Sequence, residues 1–134
     1  MPKTYQDLIH EAEAQIETLS PAVAIDTHAG AASTDTVFID LRDVRELWRE
    51  GTVPGAVHCP RGMLEFWIDP GSPYHKPVFS EPGRSYVFFC QSGWRSALAT
   101  RTAQELGLTA VAHVDGGFRA WKEAAGPVEA VERR

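Results

Sequence analysis

Acidic residues outnumber basic ones in this 134-residue chain by 18 to 13, leaving a net charge of −5. That balance argues against nucleic acid as the main partner, because phosphate binding needs a basic face, and no apolar run is long enough to span a bilayer. A hydrophobic share of 43% and a charged share of 23% are ordinary for one globular domain, so residues 1–134 are read as a single domain.

The N-terminus lacks the basic, apolar and small-residue order of a signal peptide, which points to a cytoplasmic chain. The cysteines Cys59 and Cys90 cannot make a disulfide scaffold. No Cys/His cluster has zinc spacing, and the adjacent His58 and Cys59 cannot complete a tetrahedral site. No metal and no other cofactor is expected.

In chain order, Thr4 with Asp7 has the form of a capping box, and Tyr5, Leu8, Ile9, Ala12, Ile16 and Leu19 recur at helical spacing. The pattern predicts an N-terminal packing helix within residues 1–20, ending at Ser20-Pro21. Val23-Ala24-Ile25 reads as a short strand, with Asp26 or Thr27 capping a brief helix before Gly30. Thr36-Val37-Phe38-Ile39 is an apolar run ending at Asp40, the pattern of a buried parallel strand. Asp43 can cap a helix from Val44 to Glu50, with Gly51 at its end. Arg42, Arg45 and Arg49 are interleaved with Asp43, Glu46 and Glu50, as on a solvated helix face.

Val53-Pro54-Gly55 predicts a turn, Ala56-Val57-His58 a short strand, and Gly62 to Ile68 a short helix rich in large apolar side chains. The stretch 69–84 carries Pro70, Pro73, Pro77 and Pro82 with Gly71 and Gly83, and reads as a long surface loop. A strand over Ser85–Phe89 follows, then Cys90 and a helix from Arg95 to Leu106. The chain closes with a strand over Ala110–Val114, a turn at Gly116-Gly117 and a helix around Phe118–Ala124. Strands alternating with helices predict an α/β fold with a mainly parallel central sheet and helices on both faces. Ligands of such sheets bind at the carboxyl ends of the strands, where Asp40 and Cys90 lie.

Cys90 ends a buried strand and faces the first turn of a helix, where backbone N–H groups lack intrahelical partners. Those groups and the helix dipole stabilise an anion, and a thiolate there is a nucleophile. The amides of Gln91, Ser92, Gly93 and Trp94 are expected to curve around the sulfur as an anion-binding nest, with Gly93 permitting close backbone approach. Arg95 has two roles open to it: adding charge beside the sulfur, or bracing the loop against Asp40 or Glu46. Trp94, Trp67, Phe66 and Met63 are candidates to line the pocket, core packing being preferred for Met63 and Phe66. His58 and His113 read as structural histidines, His75 as a loop residue, and Cys59 as a packing residue rather than a resolving thiol.

Four signatures resemble the single-domain rhodanese, or sulfurtransferase, family over nearly the whole chain. Asp40-Leu41-Arg42-Asp43 is similar to the family's Asp-x-Arg-acid strand end. Gly51-Thr52-Val53-Pro54-Gly55-Ala56 is similar to its Gly-His-Ile-Pro-Gly-Ala turn, with Thr52 in place of histidine. Cys90 to Ser96 resembles the active-site loop, and Gly116-Gly117 through Trp121 its Gly-Gly-x-x-x-Trp signature. The resemblance implies a rhodanese-like fold and transfer of a sulfane sulfur from thiosulfate, a polysulfide or a persulfide through a Cys90 persulfide. The acceptor would be a thiol or cyanide, and a protein persulfide a further partner. Asp40 and Arg42 match the family's pattern as scaffold residues; Glu46, a partner for Arg95, Arg61, a charge for an anionic donor, and Trp67, a pocket wall, are read as supporting the site beside them.

Members favouring thiosulfate often carry a basic side chain just after the cysteine, where this chain has neutral Gln91. A cysteine-dependent phosphatase, typically with five residues between cysteine and arginine, is a lesser reading, since four intervene here. A regulatory or binding module and a thiol redox sensor are the remaining alternatives.

Overall fold

A computed structural model of the chain describes residues 1–133, the side chains of Ala32 and Ser33 excepted. The strands β1 (Glu17–Leu19), β2 (Thr36–Asp40), β3 (Val57–His58), β4 (Ser85–Phe89) and β5 (Val111–Val114) form one five-stranded sheet in the order β1-β5-β4-β2-β3. Every strand pairing is parallel. The helices are α1 (Tyr5–Glu13), α2 (Pro21–Ala29), α3 (Ala31–Thr34), α4 (Val44–Glu50), α5 (Leu64–Ile68), α6 (Trp94–Glu105) and α7 (Gly117–Glu123). Short 3-10 turns occupy Arg61–Met63 and Pro77–Phe79. No helix among the described residues is long and apolar enough to cross a membrane.

The central strands β2 and β4 are buried at every residue after the first, as apolar runs covered on both faces require. Their alternating side chains divide the core in two. Val37, Ile39, Tyr86 and Phe88 pack with Leu64, Ile68, Ala99 and Ala103 from α5 and α6. Phe38, Val87 and Phe89 pack on the other face with Ala24, Phe118 and Trp121 from α2 and α7. Helices thus cover both faces of an α/β sheet, and the carboxyl ends of β2, β4 and β5 lie at one edge.

The structure differs from the sequence reading near the N-terminus. The Thr4–Asp7 capping box is present, but the helix stops at Glu13. Glu17–Leu19 forms the edge strand β1, in register Glu17↔Ala112, Thr18↔His113 and Leu19↔Val114. Ile16 and Leu19 fit helical spacing, yet the open edge of β5 offers backbone hydrogen bonds that an extended segment satisfies. Val23–Ile25, expected as a strand, lies inside α2, and Asp26 and Thr27 are within the helix rather than at its start. Ser20 Oγ accepts from the Val23 amide at 3.2 Å and Pro21 occupies the first turn, so start signals outweigh the β-branched side chains. Elsewhere the boundaries agree within a few residues. Asp43 forms a capping box with Glu46.

Candidate active site

The strand-to-helix turn after β4 carries Cys90. Its Sγ accepts hydrogen bonds from the Gly93 amide at 3.1 Å and the Ser96 amide at 3.4 Å. Gly93 has φ +107°, in the left-handed region, which turns its N–H inward. Ser96 is the third residue of α6, so its N–H has no carbonyl one turn back and is free for an anion. Among the described residues these are the amides on the sulfur. The anion nest expected from Gln91, Ser92, Gly93 and Trp94 is therefore centred on Gly93 and Ser96, and Ser96 was outside the expected set. Spacing within a helix carries the signal for it: the third residue of a helix is a donor-rich position.

Cys90 is 1% exposed. A cavity of about 270 Å³ lies next to its loop, bordered by Ser92, Gly93, Trp94, His113 and Asp115 and by Tyr5, His10 and Glu13 of α1. The N-terminal helix, expected to serve packing, thus also borders this cavity. Tyr5 and Trp94, both solvent-exposed, sit with ring centroids 5.0 Å apart at this cavity.

Arg95 braces the loop. Its guanidinium donates to both oxygens of Glu46, at 2.8 and 3.0 Å. Hydrogen bonding from Arg95 holds the Glu46 carboxyl below the usual glutamate range, against the effect of partial burial and with help from the Asp43 amide. A depressed carboxylate contributes stability that is present above the unfolded pKa and lost as pH falls through the folded one. Because the Arg95 side chain is 40% exposed, solvent screening limits the pair. Arg95→Ala is expected to cost about 0.5–1 kcal/mol at neutral pH. In urea titrations the gap from wild type should close below about pH 4.

A second set of buried groups supports the loop from β2. Arg42 is fully buried and donates through Nε and Nη2 to the Asp40 carboxylate at 3.0 and 2.9 Å. Arg42 Nη2 also reaches the Gly51 carbonyl at 2.7 Å, Nη1 reaches Gln91 Oε1 at 3.2 Å, and the guanidinium lies 4.2 Å from the Phe118 ring centroid. Thr52, in the family's histidine position, donates its hydroxyl to Asp40 Oδ2 at 2.7 Å. Gln91 donates onward to Glu50 Oε1 at 3.3 Å, and Glu50 pairs with Lys122. The Gln91 side chain is engaged in the scaffold.

Gly117, read as part of a turn and of the Gly-Gly-x-x-x-Trp signature, is packed against the cysteine loop. A Cβ built there would lie 2.5 Å from the Cys90 carbonyl oxygen and 2.7 Å from Gln91 backbone atoms. The next amides, of Phe118 and Arg119, donate to the Cys90 and Gln91 carbonyls at 2.8 and 3.1 Å.

The remaining candidates take other places. Arg61 pairs with Glu65 at 3.0 Å. Trp67 packs against the α5–α6 core with the Lys76 ammonium 5.1 Å from its ring. Phe66 is exposed. His58 Nε2 bonds the Arg42 carbonyl oxygen at 2.7 Å, and His75 bonds Ser80. Cys59 is fully buried, and burial pushes its thiol up to about 12, as befits a packing residue. His113 is buried with Nδ1 2.9 Å from Ser96 Oγ.

Residues 24–124 match the family model described as Rhodanese-like domain. A mouse protein, thiosulfate sulfurtransferase/rhodanese-like domain-containing protein 3, is 31% identical over 93 residues, covering 66% of this chain and 59% of that protein. This chain therefore spans little more than half the length of that relative. Human single-domain sulfurtransferase TSTD1 superposes with a TM-score of 0.62 at 30% identity, over 79% of this chain and 95% of the human one. A Rhodopseudomonas palustris protein of unknown function, RPA3614, described as a possible tyrosine phosphatase, superposes at 0.90 with 53% identity, covering 96% and 99% of the two chains. With the sheet, the cysteine loop and the matched span in agreement, this chain belongs to the rhodanese-like domain family.

Proposed function

We propose that the protein is a sulfurtransferase working through a Cys90 persulfide. The thiolate attacks the sulfane sulfur of a donor, forming a sulfur–sulfur bond as the donor's remainder leaves with the electron pair of the bond that breaks. A thiophilic acceptor then attacks the outer sulfur and returns Cys90 as thiolate. The observation that carries this reading is the convergence of the Gly93 and Ser96 amides on Cys90 Sγ, donors that suit a thiolate or the inner sulfur of a persulfide. Sulfurtransferase-named relatives support the reaction class.

Charge favours an organic persulfide or polysulfide, whose sulfur chain carries at most one charge, over dianionic thiosulfate. Glu46 neutralises Arg95, Gln91 is uncharged, and Glu13 and Asp115 border the adjacent cavity. The test is intact-mass measurement after exposure to an organic polysulfide and, separately, to thiosulfate. Expected is an adduct of one sulfur atom, removed by cyanide and missing in Cys90→Ser, with polysulfide loading the more completely. No adduct with either donor, or one that survives in Cys90→Ser, overturns the reading.

The description of the R. palustris protein favours a second reading, phosphate-ester hydrolysis. Four residues separate Cys90 from Arg95, and both guanidinium nitrogens that face Glu46 are occupied, which disfavours clamping a phosphate. Turnover of an aryl phosphate, lost in Cys90→Ser, would establish that alternative instead.

A further inference from the structure

Ser96 of α6 stands beside the Cys90 sulfur, and His113 of β5 stands behind Ser96. The register Phe88↔His113 sets the imidazole on the sheet face that α6 covers. Both residues are buried, at 0% and 2% exposure. Among the described residues, Ser96 Oγ has three hydrogen-bonding neighbours: Cys90 Sγ at 3.5 Å, His113 Nδ1 at 2.9 Å and the Gly93 carbonyl oxygen at 3.3 Å. His113 Nε2 is buried without a hydrogen-bond partner among the described residues.

A hydroxyl has one hydrogen to give and two lone pairs to fill. If Nε2 carried the imidazole hydrogen, a buried N–H would be orphaned, the rarer kind of unsatisfied group. Ser96 would then spend its hydrogen on Nδ1, leaving the Gly93 contact without one. With the hydrogen on Nδ1, all three contacts are accounted for. The Cys90 S–H and the His113 Nδ1–H both donate to Ser96 Oγ, and its own O–H donates to the Gly93 carbonyl. When Cys90 gives its proton to solvent, the sulfur becomes an anionic acceptor. The Ser96 O–H then turns to it, a charge-assisted bond being stronger than one to a neutral carbonyl.

We propose that His113, as its Nδ1–H tautomer, is a positioning residue that turns the Ser96 hydroxyl onto the Cys90 thiolate as a third donor beside the Gly93 and Ser96 amides. The proposal deepens the persulfide reading and rests on it for its catalytic meaning. It needs no proton transfer to the imidazole. In keeping with that, burial pushes His113 below the usual histidine value, Asp115 pulling the other way. The titratable groups around it are Asp115 on its own strand end, Tyr5, His10 and Glu13 of α1 across the cavity, and Cys90 behind Ser96. The neighbouring strands place Phe88 and Thr18 at its register.

The experiment is iodoacetamide alkylation of Cys90 as a function of pH, located by peptide mapping, in the intact chain. Ser96→Ala and His113→Phe should each react about tenfold more slowly on the rising limb of the profile, the loss expected for one hydrogen bond to a charged group. The double variant should be no slower than either single one, because the two residues act as one donor. His113→Asn, whose amide nitrogen can occupy the Nδ1 position, should recover most of the rate. Circular dichroism checks folding. Should His113→Phe not fold, Ser96→Ala and His113→Asn decide between them. An unchanged profile in Ser96→Ala, additive losses in the double variant, or a fully slowed His113→Asn overturns the proposal. Mass analysis of wild-type sulfur loading runs alongside. Absent loading with the alkylation pattern intact would sink the persulfide reading and leave the donor relay standing.

Discussion

Arg42→Met should lower the unfolding free energy by about 3–5 kcal/mol, the scale for removing one partner of a buried ion pair. The Met side chain matches much of the apolar stem of Arg42, so packing against Phe118 is partly kept. What disappears is the side-chain fork on Asp40, Nε and Nη2 at 3.0 and 2.9 Å, while the residue-42 backbone amide, 3.1 Å from Asp40 Oδ1, stays. Asp40 is 0% exposed, and the Thr52 hydroxyl alone would then face its charge from a side chain. The Gly51 carbonyl and Gln91 Oε1 lose a donor as well. Against a total of about 5–15 kcal/mol for an ordinary domain, such a loss removes much of the stability. Denaturant titration reads it as a fall in midpoint at nearly unchanged slope. A change under about 1 kcal/mol would mean that solvent reaches Asp40 freely or that the pair contributes nothing. Arg42→Lys should rescue little, because a single ammonium cannot span Asp40, Gly51 and Gln91 together.

The parts of this architecture that sequence made legible are those fixed by local chemistry. Apolar runs at Thr36–Ile39 and Ser85–Phe89 marked the central strands, because strands buried on both faces have little choice of composition. Asp43 with Glu46 marked a helix start, and Cys90 before a helix marked the turn whose amides meet its sulfur. The pairing of Arg95 with Glu46 was one of two roles left open, and side-chain geometry selects it. The errors fell where tertiary pairing outweighs local pattern. Ile16 and Leu19 fit a helical period, yet β1 exists because β5 has an edge to cover. The Ser96–His113 contact depends on the register of β5 against β4, which neither segment encodes alone. The place of α1 beside the cysteine loop likewise follows from packing between distant segments. Arg61 was expected to offer charge to an anionic donor and Trp67 to wall the pocket, whereas their contacts run to Glu65 and Lys76.

Gly117→Ala should both destabilise the chain and slow Cys90 chemistry, although residue 117 carries no reactive group. Gly117 has φ +63°, a region that costs an alanine roughly 1 kcal/mol. The added methyl would also meet the Cys90 carbonyl oxygen at 2.5 Å and the Gln91 carbonyl at 2.7 Å. Those atoms are backbone, held in place by the Phe118 and Arg119 amides, so they cannot step aside as a flexible side chain would. Overpacking of this kind adds about 1–3 kcal/mol, for a combined loss of roughly 2–4 kcal/mol in chemical denaturation. The strain is directed at the loop that turns the Gly93 and Ser96 amides onto the sulfur. A shift of the Cys90–Gln91 backbone lengthens those hydrogen bonds, which are already 3.1 and 3.4 Å. Iodoacetamide alkylation of Cys90 at neutral pH, measured well below the unfolding transition, should therefore be slower than in wild type. Gly62→Ala is the matching control, since a Cβ there meets nothing within 4 Å, and it should leave both stability and alkylation near wild type. If Gly117→Ala loses stability but keeps the wild-type alkylation rate, the loop absorbs the methyl without moving its donors, and the close approach of α7 serves packing alone.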